Sequence, residues 1–297
     1  MQSVFIIGCG DIGSLVAAKW LEQGANVTAL ARSEASKRRL QGLGIKTVPG
    51  DLDDPDTLNH LPVANNLLYY FAPPSPNEEG EPRMQHFLSA LRSGHLPRRI
   101  VYISTSGVYG DSGGGWVTED SPPNPQTARA RRRLAAETAL RQFGRENSVE
   151  VIILRVGGIY GPGRLPVARL RRAEPMLVEA HCGYTNRIHA KDLVMICLAA
   201  AERGQADNIY NVTDGHPGNM TQYFFAVADA LGLPHPQSLT MSEAEQQLTP
   251  AMLSYLTESR RMDNSKLLRE FGLSLHYPDL ESGLAEVQPL SHCHDTN

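Results

Sequence analysis

Short apolar runs alternate with longer amphipathic segments through the first 160 residues of the chain. The runs predict buried strands, which fall at residues 4–7, 26–31, 45–48, 66–71, 99–104 and 150–154. Apolar positions at helical spacing between them predict helices at residues 14–21, 34–43, 54–61, 81–93 and 127–143. Strands that alternate with helices in this way indicate parallel βαβ units with right-handed crossovers. The pattern therefore predicts an α/β fold with a Rossmann-type, doubly wound parallel sheet.

The pattern changes after residue 160, where helical spacing dominates. Helices are predicted at residues 166–172, 190–201, 221–231, 249–256 and 264–271, with a short strand at 209–212. We therefore expect a dinucleotide-binding domain over residues 1–160, completed by roughly 188–212. A smaller, mostly helical C-terminal lobe over 161–187 and 213–290 would hold substrate, and residues 291–297 would form a tail.

Residues 105–126 lack a clear period and contain three consecutive glycines and three prolines. A stretch with this composition is typical of a loop that carries function rather than of a packed element. We expect it to be disordered or to form a lid.

Charge and composition exclude several classes of protein. The net charge of the 297 residues is −4, which gives no reason to expect binding to nucleic acid or to an anionic membrane. The longest apolar run, at 193–201, is far shorter than the roughly 20 residues that a membrane-spanning helix needs. The first apolar run is also too short for a signal peptide. We expect a cytoplasmic protein with a small-molecule substrate and no nucleic-acid or membrane partner.

The cysteines do not suggest a metal site or a disulfide framework. They are scattered and form no C-x-x-C pair, at Cys9, Cys182, Cys197 and Cys293. The tail sequence His292-Cys293-His294 could be read as a metal clip, but no cluster of ligands accompanies it, and a frayed terminus is the favoured interpretation. We expect no metal.

A glycine motif follows the first predicted strand and opens the first predicted helix. Gly8, Gly10 and Gly13 have the G-x-G-x-x-G spacing. The first glycine permits a tight turn, the second allows a pyrophosphate to approach the backbone, and the third lets helix and strand pack closely. Asp11 and Ile12 lie at the start of the helix, whose N–H groups and dipole favour phosphate. The motif predicts a dinucleotide site, and the alternative is an ordinary strand–helix turn.

The end of the second predicted strand indicates which dinucleotide is bound. An acidic residue there would bond the ribose hydroxyls of NAD, but this chain has Arg32 and Ser33. Arginine can bind a phosphate with two N–H groups, and serine can donate to it. NADP(H) is therefore favoured, and NAD remains possible. Further candidate cofactor contacts lie at the ends of the third, fourth and fifth predicted strands, namely Asp51, Leu52, Phe71, Ala72, Pro73 and Ser104.

A series of short motifs follows the glycine loop along most of the chain. The motifs are Gly-Asp-Leu at 50–52, Val-Tyr-Ile-Ser-Thr-Ser-Gly-Val-Tyr-Gly at 101–110, Glu-Asp at 119–120, Leu-Ala-Ala-Glu at 134–137, Leu-Arg at 154–155, Tyr-Gly-Pro-Gly at 160–163, Arg-Ile-His-Ala-Lys-Asp-Leu at 187–193 and Tyr-Asn-Val at 210–212. In these motifs the chain resembles the extended short-chain dehydrogenase/reductases, which include nucleotide-sugar epimerases and dehydratases. The resemblance implies an NAD(P)-dependent reaction in which Thr105 hydrogen-bonds the reacting oxygen. It also implies a possible homodimer through the helices at 81–93 and 127–143.

The catalytic Tyr-x-x-x-Lys pair of that family should precede the Leu-Ala-Ala-Glu motif, where this chain has Arg129 and Arg133. No tyrosine in the sequence is followed by lysine four residues later. Arginine, with a pKa above about 12, cannot exchange protons at neutral pH. The chain is therefore interpreted as an atypical member of the superfamily.

The two arginines have alternative roles. Arg133 could hold cofactor ribose or phosphate, and with Arg129 it could clamp an anionic substrate. Alternatively, the arginines could form a solvated helix face with Arg133 paired to Glu137. Arg164 is a further candidate substrate contact, and Tyr109 is a candidate proton donor whose alternative role is structural.

Two functions remain open at this point. One is an NADP(H)-binding oxidoreductase of the epimerase, dehydratase or reductase type. The other is a non-catalytic NAD(P)-binding regulatory or scaffold protein.

Overall fold

The computed structural model describes residues 1–75, 80–91 and 94–289. The strands are β1 Ser3–Ile7, β2 Asn26–Ala31, β3 Lys46–Pro49, β4 Leu67–Tyr70, β5 Arg99–Thr105, β6 Trp116–Val117, β7 Glu150–Val156, β8 Gly158–Tyr160, β9 Met176–Leu177, β10 Arg187–His189, β11 Asn208–Val212, β12 Ser238–Leu239 and β13 Arg261–Met262. The α-helices are α1 Asp11–Glu22, α2 Glu34–Gly42, α3 Pro82–Ala90, α4 Ala128–Asn147, α5 Val167–Arg171, α6 Ala190–Arg203, α7 Met220–Leu231, α8 Met241–Gln247, α9 Pro250–Thr257, α10 Ser265–Phe271 and α11 Leu280–Leu284. Short 3₁₀ helices occur at Pro55–Leu58, Ser106–Tyr109 and Glu179–His181.

In this part of the chain the central sheet has seven parallel strands in the order β11-β7-β5-β4-β1-β2-β3. The chain moves outward from β1 through β2 to β3, and then returns to start the other half at β4. A crevice forms where the strand order reverses, above the carboxyl ends of β1 and β4, and such crevices are the usual ligand sites of doubly wound sheets. The predicted α/β doubly wound fold is confirmed, and the fold places a site beside the glycine loop.

Each face of the sheet has its own apolar core. On one face, Val4 and Ile6 of β1 pack with Val16 and Trp20 of α1 and with Ile196 of α6. The alternating residues Phe5 and Ile7 point to the other face, which α3 and α4 cover. This alternation follows from the period of two in a strand, and both faces are apolar because helices cover both of them.

A buried hydrogen-bonded chain ties α1 to the sheet and to α6. The Trp20 indole donates to the Tyr69 hydroxyl at 2.9 Å, and that hydroxyl donates to the Cys197 carbonyl at 3.1 Å. These groups satisfy one another inside an otherwise apolar core, as buried polar groups must. These hydrogen bonds therefore anchor α1, the helix that follows the glycine loop, to the sheet and to α6.

Residues beyond 160 contribute most of a third buried cluster. Its members include Leu170, Phe224, Val227 and Leu239. Helix α7 crosses this cluster, begins with a capping box between Asn219 and Gln222, and ends at Gly232 in the left-handed conformation. The predicted helices of this region are present, with α8 and α11 in addition.

The glycine-rich segment differs from its prediction, because it is hydrogen-bonded to the C-terminal region. Strand β6 pairs with β13, and the Gly114 N–H donates to the Ser259 carbonyl at 3.1 Å. The Arg261 guanidinium donates a hydrogen bond to the Gly114 carbonyl and lies over the Trp116 ring. Gly113 and Gly114 have φ of 58° and 79°, values that favour glycine. Their role here is a tight turn and not a disordered flap.

Other boundaries differ more modestly. The helix predicted at 54–61 is the single 3₁₀ turn Pro55–Leu58, and α4 continues to Asn147. Residues 92–93 of the helix predicted at 81–93, and the tail residues 291–297 with their His-Cys-His sequence, lie outside the described residues. Among the helices that are described, none is long and apolar enough to cross a membrane.

Candidate functional site

The glycine loop lies against the end of β4. Gly8 has φ of +83°, and a Cβ atom built there would lie 2.4 Å from the Ala72 backbone nitrogen. The Phe71 N–H donates to the Ile7 carbonyl at 2.8 Å, which brings the two strand ends together. Neither the turn nor this close approach tolerates a side chain at Gly8.

The other two glycines have different surroundings. A Cβ atom at Gly13 would lie 2.8 Å from the Gly8 carbonyl oxygen, so this glycine allows α1 to pack on the loop. A Cβ atom at Gly10 would have no heavy atom nearer than the Gly8 oxygen at 4.0 Å, so it would project into open space. No side chain of the described residues caps the first turn of α1. The loop therefore presents open space and uncapped N–H groups in the same place.

A cavity of about 730 Å³ opens above this loop. Most of the predicted site residues line it, namely Gly8, Gly10, Asp11, Ile12, Gly13, Arg32, Asp51, Leu52, Phe71, Ala72, Pro73, Arg133 and Arg164. The structure thus brings together residues from the ends of β1, β2, β3 and β4 with the start of α1, one residue of α4 and one of the loop after β8. A cavity of this size falls within the range of small-molecule and cofactor sites.

Two predicted cofactor contacts are not among the lining residues. The Ser33 hydroxyl accepts a hydrogen bond from the Ser36 N–H at 3.2 Å and is the N-cap of α2. Ser104 is buried, and its hydroxyl donates to the Glu137 carboxylate. In each case the hydroxyl already has a protein partner, and the residue does not line the cavity.

The end of the cavity beside α2 carries two basic side chains. Arg32 lines it together with Ser36 and Arg39, which the sequence reasoning missed. Arg39 reaches from α2 to the glycine loop, where its guanidinium donates to the Cys9 carbonyl at 2.6 Å and to the Ser14 hydroxyl at 2.9 Å. The helical spacing of residues 36 and 39 was the available signal, since it places both on one face of α2.

One carboxylate lies near this basic group and is already neutralised. Asp53 receives two hydrogen bonds from Arg83, each of 2.6 Å, in a bidentate ion pair. Arg32 is farther away, with 3.8 Å between its Nη1 and the carboxylate. The hydrogen bond from Arg83 holds the pKa of the Asp53 carboxyl below its usual range. The rim of the cavity next to Arg32 therefore remains favourable to an anion.

Arg133 lies at the floor of the cavity and is 7 % exposed. Its Nη1 donates to the Ile103 carbonyl at 2.9 Å and to the Tyr102 hydroxyl at 3.2 Å. Its Nε has no hydrogen-bond partner among the described residues. A buried donor without a partner is costly, so this nitrogen is suited to a ligand.

The alternative pairing of Arg133 with Glu137 is wrong. Glu137 is bound by Arg155, with 2.7 Å between Arg155 Nη2 and the carboxylate, and both side chains are almost fully buried. Arg129 is exposed on the first turn of α4 and is not among the residues that line the cavity. The expected clamp of Arg129 with Arg133 is therefore not assembled at this cavity.

The structure corrects the candidate proton donor. Tyr109 is 3 % exposed, does not line the cavity, and its hydroxyl donates to the Asn211 side-chain oxygen at 2.7 Å. Burial raises the pKa of its phenol to about 12. Tyr109 is therefore a structural residue, as the alternative interpretation held.

Thr105 ends β5 and is partly exposed. Its hydroxyl accepts a hydrogen bond from the Gly107 N–H at 3.3 Å, which caps the 3₁₀ helix that follows. The hydroxyl proton is not used in that contact. Thr105 therefore keeps a donor, although it is not among the residues that line the cavity.

Comparison with known proteins agrees with this geometry. A model of the NAD dependent epimerase/dehydratase family matches residues 4–213. The Escherichia coli K12 protein YeeZ is 26 % identical over 291 residues, which cover 94 % of this chain and 97 % of that protein. A ketoreductase from Stigmatella aurantiaca, which acts on 4-hydroxy-2-methyl-3-oxo-4-farnesyl-3,4-dihydroquinoline-1-oxide, is 23 % identical over 252 residues, covering 78 % of this chain and 74 % of that protein.

A solved structure gives the same result over nearly the whole fold. The structure of a putative NAD-dependent epimerase/dehydratase from Methylobacillus flagellatus is 29 % identical and covers 96 % of this chain and 97 % of that chain, with a TM-score of 0.74. The family model covers more than half of the sequence, and it contains the glycine loop, the sheet and most of the cavity lining. The chain belongs to the NAD-dependent epimerase/dehydratase family.

Proposed function

We propose that this protein is an NADP(H)-binding oxidoreductase of the epimerase, dehydratase or reductase type that acts on a small substrate. The observation that carries the proposal is the cavity above the glycine loop, with Arg32 and Arg39 at one end and Arg133 at its floor. The open space beside Gly10 and the unpartnered Nε of Arg133 both fit a bound dinucleotide.

The cavity offers a separate set of groups to each part of the dinucleotide. The uncapped N–H groups at the start of α1 would hold the pyrophosphate. Arg32 and Arg39 would bind the 2′-phosphate of the adenosine ribose, with Asp51 and Leu52 beside the adenine. Arg133 would donate from Nε to the hydroxyls of the other ribose. The bound nicotinamide would supply the chemistry of hydride transfer.

The protein's own residues suggest positioning rather than acid–base catalysis. The resemblance would place Arg133 where the family has the lysine of its Tyr-x-x-x-Lys motif, and an arginine there can donate hydrogen bonds but cannot release a proton at neutral pH. Thr105 would orient the reacting oxygen from the end of β5 through its remaining donor. Because the Tyr109 proton is held by Asn211, the proton would come from water or from another group at the substrate site.

The charges at the end of β2 support the proposed preference for NADP(H). Asp53 could bond ribose hydroxyls and so favour NAD, but both of its oxygens are engaged by Arg83. Arg32 has no closer anion than the 3.8 Å contact with that carboxylate among the described residues. The 2′-phosphate of NADP(H), bound here, would give the Arg32 guanidinium a closer anionic partner.

Titration of the protein with NADPH and with NADH tests the proposal. Arg32→Gln should weaken NADPH binding about tenfold, the value of one charge-assisted contact, and leave NADH binding unchanged. Arg38→Gln is the matched control, since Arg38 is exposed on α2, six residues after Arg32, and does not line the cavity. Equal affinities for the two nucleotides in the wild-type protein would refute the NADP(H) preference, and no binding of either would refute the nucleotide site.

A non-catalytic NAD(P)-binding regulator is the second candidate. It is favoured by the arginines at positions 129 and 133 and by the structural role of Tyr109. NADPH oxidation measured against a panel of ketones, aldehydes and nucleotide sugars separates the two functions. Tight NADPH binding with no turnover of any substrate would support the regulator.

A further inference from the structure

Arg164 follows β8 on a tight turn that is fixed at both ends. Its backbone N–H donates to the Gly161 carbonyl at 3.0 Å, and Gly161 and Gly163 have φ of 128° and 75°. A Cβ atom at Gly161 would lie 2.8 Å from the Nε2 of His189, in the neighbouring strand β10. The turn is therefore packed against the sheet, and its geometry depends on glycine.

The turn places the Arg164 side chain beside the glycine loop. Its Nη2 lies 2.7 Å from the Asp11 carboxylate, and Asp11 is the first residue of α1. Both residues line the nucleotide cavity. The Arg164 side chain is 22 % exposed, and its Nε is buried without a hydrogen-bond partner among the described residues. The guanidinium thus has an unused donor beside the uncapped end of the helix.

The position of Asp11 has a consequence for anion binding. A carboxylate in the first turn of a helix interacts favourably with the helix dipole when no ligand is bound. The same place is where the helix would receive a pyrophosphate, and two anions there would repel each other. A guanidinium can bind phosphate with two parallel N–H groups, so Arg164 could exchange the carboxylate for a phosphate.

We propose that Arg164 binds the pyrophosphate of the dinucleotide, and that Asp11 is the counter-ion that holds the guanidinium over the glycine loop before the nucleotide arrives. This inference rests on the proposed function, since it requires that the cavity takes a dinucleotide. It assigns Arg164 to the cofactor instead of the substrate, because the side chain lies in the cavity with the glycine loop. Asp11 competes with the ligand for Arg164.

Three nucleotides test the assignment by calorimetric titration: NADPH, 2′-phospho-ADP-ribose and adenosine 2′-monophosphate. The first two contain the pyrophosphate and the third lacks it. Arg164→Gln should weaken the binding of the first two about tenfold and change that of the third less than about twofold. Arg164→Lys keeps the charge without the paired donors, and its affinity for NADPH should be intermediate. Arg171→Gln, an exposed position on the next helix, controls for net charge.

Asp11→Asn tests the counter-ion. Because the Asp11 carboxylate is exposed, its ion pair is worth about 1 kcal/mol or less, so removing this competitor should tighten NADPH binding roughly two- to fivefold. The proposal is overturned if Arg164→Gln leaves NADPH affinity unchanged, if it weakens all three nucleotides equally, or if Asp11→Asn weakens NADPH binding. Failure of the wild-type protein to bind any of the three nucleotides would instead refute the proposed function.

Discussion

Substitution of Glu137 by glutamine should cost more stability than any surface charge change in this protein. Arg155 contacts the Glu137 carboxylate through Nε and Nη2, at 3.2 and 2.7 Å, and the two side chains are 3 % and 2 % exposed. The guanidinium also lies 4.7 Å above the Tyr109 ring, where no other anion faces it among the described ion pairs. Removing one partner of a buried ion pair typically costs about 3–5 kcal/mol, because an uncompensated charge stays buried.

Equilibrium unfolding in urea measures this cost as a change in the free energy of unfolding. Glu22→Gln is the matched control, because Glu22 pairs with Lys19 on an exposed face of α1 and should cost less than about 1 kcal/mol. The double variant Glu137→Leu with Arg155→Met should recover more than half of the loss, since it leaves no charge behind. A cost for Glu137→Gln no larger than that of Glu22→Gln would refute this account.

Two further outcomes follow from buried groups that do not line the cavity. Burial raises the pKa of Asp214 from 3.8 to about 6. Between about pH 4 and 6, the Asp214 carboxyl therefore holds a proton in the native protein that it releases in the unfolded chain. The free energy of unfolding of the wild-type protein, relative to that of Asp214→Asn, should fall as the pH rises through this window and stay constant above it. A difference that does not vary with pH in urea unfolding would contradict this. Tyr109→Phe should lower the free energy of unfolding by about 1–3 kcal/mol, because it leaves the buried Asn211 oxygen without its donor. NADPH binding should stay unchanged. Weaker NADPH binding would indicate that Tyr109 belongs to the site.

The parts of the fold that the sequence predicted depend on local patterns. The apolar strands and the glycine loop are encoded within stretches of about ten residues, so their order and type could be predicted. The pairing of β6 with β13 could not, because it joins residues about 145 positions apart through two-residue strands. A glycine run with prolines looks like a loop whether or not a distant strand fixes it.

In the candidate site, too, local patterns predicted some features, whereas contacts between distant parts of the chain were not predicted. Residues at strand ends, such as Arg32 and Asp51, were predicted because parallel strands end at one edge of the sheet. Ser33 caps α2 with its hydroxyl and does not line the cavity, a local role that its position at the end of β2 did not predict. Arg39 contacts the Cys9 carbonyl and Arg164 contacts Asp11 across 30 and 153 positions, and the sequence predicted neither contact.

The environments of the two tryptophans give the protein an internal optical probe. Trp20 is 5 % exposed in the helix behind the glycine loop, whereas Trp116 is 54 % exposed on β6. Iodide should quench the emission of Trp116 and leave that of Trp20. Replacing Trp116 by phenylalanine would leave Trp20 as the single tryptophan, since the chain has two. Its emission overlaps the absorption of reduced nicotinamide, so energy transfer from Trp20 would report occupancy of the cavity without any attached label.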